Sequence, residues 1–290
     1  MCVCFGTLTL QVSFSRPFPV NTMSGTGLSF ERNTFMPAMA MNLNRPSSAS
    51  AAASNAMRPL SAPATDGPTR HTSNPIVTGT SVLAIKYAGG VVVAADTCGS
   101  YGSLAKFRNI SRMNTVGSKT LLAMSGDYAD YQYVKKTLDD LVIEDECVND
   151  GHQLSSSSIF SYLSRVMYNR RSKIDPLWNT FVVAGSSNGQ PFLGTVDKVG
   201  VAYTENHIAT GYGAYMALPL MRDAYAANPN MTLEQAQTVI NECLKVMYYR
   251  DARSWNQYEM AVITNDGVSI SQPYTLPTDW SIATMFQGYE

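Results

Sequence analysis

Residues 81–95 constrain the fold more than any other stretch. Positions 81–87 alternate in the manner of a strand, Ala88-Gly89-Gly90 turns the chain, and 91–95 is a β-branched run. Two strands this close, joined by a short glycine turn, form an antiparallel hairpin. A further strand is expected at 120–124, and Ser125-Gly126-Asp127 then opens a helix. In that helix Tyr131, Val134, Leu138, Leu141 and Val142 share one face. A second helix carries Ile159, Tyr162, Leu163, Val166 and Met167 at i, i+3, i+4, i+7 and i+8. Strands at 181–184 and 191–196 flank Ser187-Asn188-Gly189. A third helix spans 214–226. A fourth begins at Thr232, with Gln235 three residues on as in a capping box. Its apolar stripe is Ala236, Val239, Ile240, Cys243, Leu244 and Met247. Residues 259–264, the turn Asn265-Asp266-Gly267 and residues 268–271 close the series as a hairpin.

The order is therefore strands, two helices, strands, two helices, strands. Runs of like elements argue against a doubly wound parallel sheet and for an α+β fold of antiparallel sheets with helices layered outside. Two sheets packed face to face, each covered by a helix pair, bury all four apolar stripes. No internal boundary shows between 81 and 271, so one domain is expected at 73–271, with an N-terminal segment at 1–72 and a C-terminal arm at 272–290.

Composition shifts near residue 72. Residues 1–72 hold five arginines, no lysine and two acids, against 16 bases and 20 acids in the rest. Residues 46–64 are rich in Ser, Ala and Pro without helical or strand period, and such a segment cannot bury enough apolar surface to offset its chain entropy. It is read as disordered or as removed during maturation. A secretory signal fits poorly, because the first charge is Arg16 and no basic residue precedes the apolar start. An arginine-bearing organelle presequence is the other reading. Asn74-Pro75 marks the onset of order, since the residue before a proline is held extended. The formal net charge of -1 gives no general pull toward nucleic acid or anionic membrane. No apolar run approaches the roughly 20 residues of a membrane helix. Five scattered cysteines and three histidines without a shared motif argue against a zinc site or disulfide framework and fit a reducing compartment.

Several segments together resemble a known family. Thr78-Gly79-Thr80-Ser81 followed by Gly90-Val91-Val92-Val93-Ala94-Ala95-Asp96 is similar to the start of a proteasome beta subunit. Met124-Ser125-Gly126-Asp127, Gly211-Tyr212-Gly213 and Tyr249-Arg250-Asp251-Ala252-Arg253-Ser254 fall in that family's order. The segment 168–179, with 99–104 and 209–215, narrows the resemblance to a non-catalytic branch of the family. The resemblance runs from about Asn74 to the end, and it implies a four-layer α-β-β-α sandwich.

Active members of the family are N-terminal threonine hydrolases. Cleavage of a Gly-Thr bond frees a threonine whose hydroxyl attacks a peptide carbonyl, with its own α-amino group as base. The family's active pattern also needs an Asp, a Lys close to the hydroxyl, a Gly-Ser-Gly oxyanion turn and a late Asp/Ser pair. Here the resemblance places Thr80 at the nucleophile position, Asp96 at the Asp, and Asp251 and Ser254 at the late pair. The lysine is replaced by Arg112, whose planar fork is too large for a compact ammonium slot and which, as an arginine, keeps its charge and does not readily pass a proton. The oxyanion serine is replaced by Tyr212. Cys98 stands where active members carry a base. Thr80, Asp96, Arg112, Tyr212, Asp251 and Ser254 are thus read as the positions of a vestigial site, with no catalytic residue, cofactor or metal. Without the resemblance, Asp96, Asp251 and Ser254 read as turn and cap residues, Cys98 as a small buried hydrophobe, and Gly211-Tyr212-Gly213 as too little for a phosphate site. Arg170, Arg171 and Lys173, followed by Pro176 and Trp178, read as a helix end and a docking surface.

The resemblance implies a structural subunit of the proteasome core, in the cytoplasm and nucleus. Its partners would be other alpha and beta subunits and assembly chaperones. Two rival readings are an active threonine peptidase using Thr80 and a free-standing N-terminal nucleophile amidohydrolase. Removal of a propeptide is expected before Thr72. The C-terminal arm carries Trp280, Ile282, Met285, Phe286 and Tyr289, apolar groups that favour docking on a neighbour. The resemblance implies that this arm reaches the opposite ring and helps join half-particles.

Overall fold

The computed structural model describes residues 74–187, 189–281 and 283, without the side chain of Ser187. The N-terminal segment 1–72 and the expected cleavage before Thr72 lie outside the described residues, as do Ile282, Met285, Phe286 and Tyr289 of the arm.

The expected hairpin is present. Strands β2 (Val82–Tyr87) and β3 (Gly90–Asp96) pair antiparallel in unbroken register, from Val82 opposite Ala95 to Tyr87 opposite Gly90. Both strands are buried almost throughout, because each face meets a different layer. Val82, Ala84, Val91, Val93 and Ala95 point into one cluster, and Leu83, Ile85, Tyr87, Val92 and Ala94 into another. That is the period of two expected of a pleated strand with cover on both sides.

The first element in order is β1 (Val77–Gly79). After the hairpin come β4 (Gly99–Tyr101), β5 (Leu104–Phe107), β6 (Met113–Val116) and β7 (Thr120–Asp127). Helices α1 (Tyr128–Val148) and α2 (Ser156–Ser172) follow, then β8 (Asn179–Ser187), β9 (Gln190–Val196), β10 (Ala202–Thr204) and β11 (His207–Ala209). Helices α3 (Gly213–Ala227) and α4 (Leu233–Arg250) precede the closing pair β12 (Tyr258–Ile263) and β13 (Val268–Ile270). One sheet runs β10-β9-β8-β7-β1-β4-β5, with β6 also on β7. The other runs β11-β2-β3-β12-β13. Every pairing between these strands is antiparallel.

Three apolar clusters define four layers. Tyr131, Val134, Leu138, Ile159, Leu163 and Met167 of α1 and α2 pack on Leu122, Met124, Phe181 and Val183 of the larger sheet. Leu121, Ala123, Val182 and Ala184, on the opposite face of those strands, meet the smaller sheet. The smaller sheet's outer face packs under Ala217 and Met221 of α3 and Ile240, Cys243, Leu244 and Met247 of α4. The chain is therefore the α+β, four-layer sandwich expected.

Boundaries differ in places. Ser125, Gly126 and Asp127 belong to β7 rather than to α1, because they pair with Asn179, Thr180 and β1. Asp127 remains the N-cap, its Oδ2 accepting from the amides of Ala129 and Asp130. The Thr232–Gln235 capping box forms in both directions, Thr232 Oγ1 accepting from the Gln235 amide and Gln235 Oε1 from the Thr232 amide. Leu141, Val142, Tyr162, Val166 and Val239 are only half-buried, at the flanks of their stripes. No helix among the described residues is long and apolar enough to cross a membrane.

Candidate functional site

The site forms where the two sheets meet at one end. β1 lies between β7 and β4, and the chain crosses from it through Thr80 and Ser81 into β2 of the other sheet. Thr80 is thus held from both sides. Ser81 is fixed by accepting the Gly213 amide on its Oγ, 2.9 Å away, and the Val82 amide donates to Thr210 Oγ1 at 2.9 Å. These two contacts tie the crossing to the start of α3, next to Tyr212.

Arg112 sits at the centre with its side chain fully buried. An arginine has five N–H donors, and all five are used. Nε donates to the Asp96 carbonyl at 2.9 Å. Nη1 donates to the carbonyls of Thr80 at 2.8 Å and Met124 at 3.0 Å. Nη2 donates to the Ser81 carbonyl at 3.0 Å and to Asp96 Oδ1 in a direct ion pair. The guanidinium bridges both sheets and the crossing between them. Its fork was expected to be too large for the slot; it fits because Gly79 has no side chain. A Cβ at Gly79 would overlap Arg112 Cδ and lie 3.1 Å from Nε and Nη1.

Asp96 ends β3. Its Oδ2 accepts the Trp255 amide at 2.9 Å, and its Oδ1 receives Arg112. Burial pushes its carboxyl up, while the Arg112 charge and the Trp255 amide oppose that rise. Asp251 is the C-cap of α4. Its Oδ2 accepts from Thr80 Oγ1 at 2.5 Å and its Oδ1 from the Arg253 amide at 2.9 Å. Ser254 donates its amide to the Asp251 carbonyl at 3.1 Å. The Thr80 hydroxyl therefore faces Asp251, and its hydrogen goes to that carboxylate. Thr80 nitrogen is the amide of an internal peptide bond.

Tyr212 is the N-cap residue of α3 but makes no side-chain cap bond, and its ring is 57% exposed. It lines a cleft of about 590 Å³ with Gly79, Thr80, Gly126, Lys198 and Arg253. Cys98 is buried, 3.8 Å from Ser100 Oγ, and burial pushes its thiol up. No group of three or more metal-ligating side chains occurs among the described residues.

Thr80, Asp96, Arg112, Asp251 and Ser254 are thus brought together as one network, while Tyr212 stands at the cleft rim. Sequence reasoning missed the parts that position them. Gly79 was legible only as half of a Gly-Thr bond. Thr210, Thr97 and Trp255 carried no signal; Thr97 is fully buried and anchors the turn after β3 through Arg108 O at 2.8 Å.

Comparison with known proteins agrees with this geometry. Residues 76–263 match the family model described as Proteasome subunit. "Proteasome subunit beta type-4" of Xenopus laevis is 54% identical over 224 residues, 77% of this chain and 93% of the relative. "Proteasome subunit beta type-4" of Dictyostelium discoideum is 50% identical over 212 residues, 73% of this chain and 82% of the relative. "Proteasome subunit beta type-7" of Saccharomyces cerevisiae is 43% identical over 232 residues, 77% and 87% respectively. With its four-layer sandwich, its Gly-Thr crossing between sheets and these matches, the chain belongs to the proteasome subunit family as a beta subunit.

Proposed function

We infer that the chain is a non-catalytic structural subunit of the proteasome core particle, building the beta ring and the proteolytic chamber for ATP- and ubiquitin-dependent protein degradation. The observation that carries this reading is the saturation of Arg112. Catalysis by an N-terminal threonine needs a cation near the hydroxyl whose protons are available as the oxygen changes charge. Every donor of Arg112 is committed to a carbonyl or to Asp96, and none to Thr80 Oγ1. The residue at the lysine position is a structural staple.

Two further features support the reading. Residues 77–79 form a sheet strand paired on both sides, so an α-amine at Thr80 would require breaking the chain next to a built element. Tyr212 places a phenol where an oxyanion turn would need a small donor. The rival of a free-standing amidohydrolase needs the same threonine amine and meets the same obstacles.

The partners are other alpha and beta subunits and the chaperones that load them, in cytoplasm and nucleus. The free cysteines Cys98, Cys147 and Cys243 fit a reducing compartment. Maturation removes the segment ahead of Thr72 and leaves a short extension before Gly79-Thr80. The test is a probe that reacts covalently with N-terminal threonines, applied to purified particles, followed by mass analysis of each chain. Adducts on other beta chains and none on this one are expected. An adduct on Thr80 would overturn the reading.

A further inference from the structure

The C-terminal end of α2 breaks two rules at once. The helix closes on Ile174 with φ at 55°, the left-handed conformation that a glycine normally supplies. A β-branched residue there is a genuine outlier. The side chain is also 87% exposed, so the strain is not offset by burial within this chain. Such an outlier points to a role outside the element that carries it.

Ile174 lies just past the helix end that also carries the exposed Tyr168. Gly200, in the turn between β9 and β10, lies so close to α2 that a Cβ there would be 2.7 Å from Tyr168 Cβ, which joins that turn to the helix end. Tyr168 and Ile174 at the helix end, and Val199, Val201 and Tyr203 in and just after the turn, are exposed apolar groups. Scattered exposed apolar residues mean little, but a contiguous group of them marks an interaction surface.

Charged groups lie along the seam where that turn meets the helix end. Asp175 pairs with Arg170 at 3.0 Å, and Asp197 is occupied with the amides of Val199 and Val201 at 2.9 and 3.0 Å. Arg171 lies over the Tyr168 ring at 5.5 Å and Lys198 over the Trp178 ring at 4.5 Å. Arg171, Lys173 and Lys198 bring three positive charges to this region of the chain. Arg170 Nε is buried and has no hydrogen-bond partner. Aliphatic groups at the centre favour a protein partner over a nucleic acid, and the cations at the rim favour an acidic one.

Resting on the reading above, we propose that this seam is a docking surface for an acidic segment of a neighbouring subunit, with Ile174 as its apolar anchor. The partner segment offers an apolar pocket for Ile174 and carboxylates for Arg171, Lys173 and Lys198. Covering Ile174 removes its exposure and compensates the backbone strain, so the strained form is stabilised by assembly.

The test expresses the full chain with a tag in cells, in competition with the untagged chain, and reads the tagged fraction in purified particles. Wild-type tagged chain is expected in the particle; its absence would overturn the structural-subunit reading itself. In the Ile174→Gly variant the strain is relieved while the anchor is lost. This variant is expected to be thermally more stable as a free chain, yet to enter particles about tenfold less, the factor that about 1.4 kcal/mol of lost contact gives. That opposite pair of effects cannot come from misfolding. The Arg171→Glu/Lys173→Glu variant is expected to lose incorporation similarly. A photo-crosslinker at Tyr168 in purified particles is expected to join an acidic peptide of another subunit. Wild-type incorporation by both variants, or a crosslink to a non-acidic segment, would overturn the proposal.

Discussion

Arg112 and Gly79 act as one unit, and neither role shows in a single position of the sequence. The arginine was legible as a departure from the lysine of the active pattern. What it does instead depends on carbonyls from Thr80, Ser81, Asp96 and Met124, which only the fold brings together. Removing one partner of a buried ion pair costs about 3–5 kcal/mol, because the other charge is left uncompensated. Arg112→Ala should therefore destabilise the chain by that amount. Gly79→Ala should cost about 1–3 kcal/mol by overpacking against the pinned Cδ. In the double variant the added methyl has nothing to meet, so urea unfolding should show less loss than the two singles together. Simple additivity would mean that the glycine is kept for another reason. Thr80→Ala removes the bond to Asp251 and should cost about 1 kcal/mol. Particles carrying it should retain each peptidase activity on fluorogenic peptides nearly unchanged. Selective loss of one activity with normal assembly would make Thr80 a nucleophile.

At the scale of elements, legibility followed length and burial. The two long hairpins and the four helices were readable because each carries a full apolar period, as in β3 or the stripe of α4. The strands β1, β4, β5, β6, β10 and β11 were not, since each has only three or four residues and none was flagged by a turn as clear as the Asn265-Asp266-Gly267 that marks the equally short β13. β5 is exposed along most of its length, so no alternation marks it. These short strands form through partners already in place, not through local pattern. The capping box of α4 shows the opposite case, a local signal that the structure realises in full. Thr232→Ala should lower stability by about 1 kcal/mol in thermal unfolding, and Thr232→Asp should restore most of it. Equal stability of the alanine variant would mean that tertiary packing alone sets the start of α4. The described part of the C-terminal arm touches its own domain through Trp280. Trp280 packs edge-on against Tyr249 at 4.9 Å and Tyr248 at 5.9 Å, yet it is 49% exposed. The sequence expectation that the arm docks on a neighbour gives a direct test. Deleting residues 277–290 should leave the domain folded and make half-particles accumulate on native gels. Normal yield of full particles would remove the arm from assembly.

For the whole molecule, the four layers account for the covered faces of both sheets and leave function to the ends and rims. The same end that gathers Thr80, Asp96, Arg112, Asp251 and Ser254 opens into the cleft beside Tyr212. At that end the two sheets are joined by a hydrogen-bonded brace centred on Arg112. The layer order was legible in the sequence because four apolar stripes needed two sheets to cover. The brace was not, because its bonds run to backbone oxygens, which no residue type announces. β1 is paired on both sides and sets Gly79 against the Arg112 side chain, so the chain is read as running unbroken through Gly79-Thr80. The central claim is therefore tested by the N-terminal sequence of this chain recovered from assembled particles. A start upstream of β1, at or near Thr72, is the predicted result. A start at Thr80, with β1 cut away and a free threonine amine in the cleft, would contradict it.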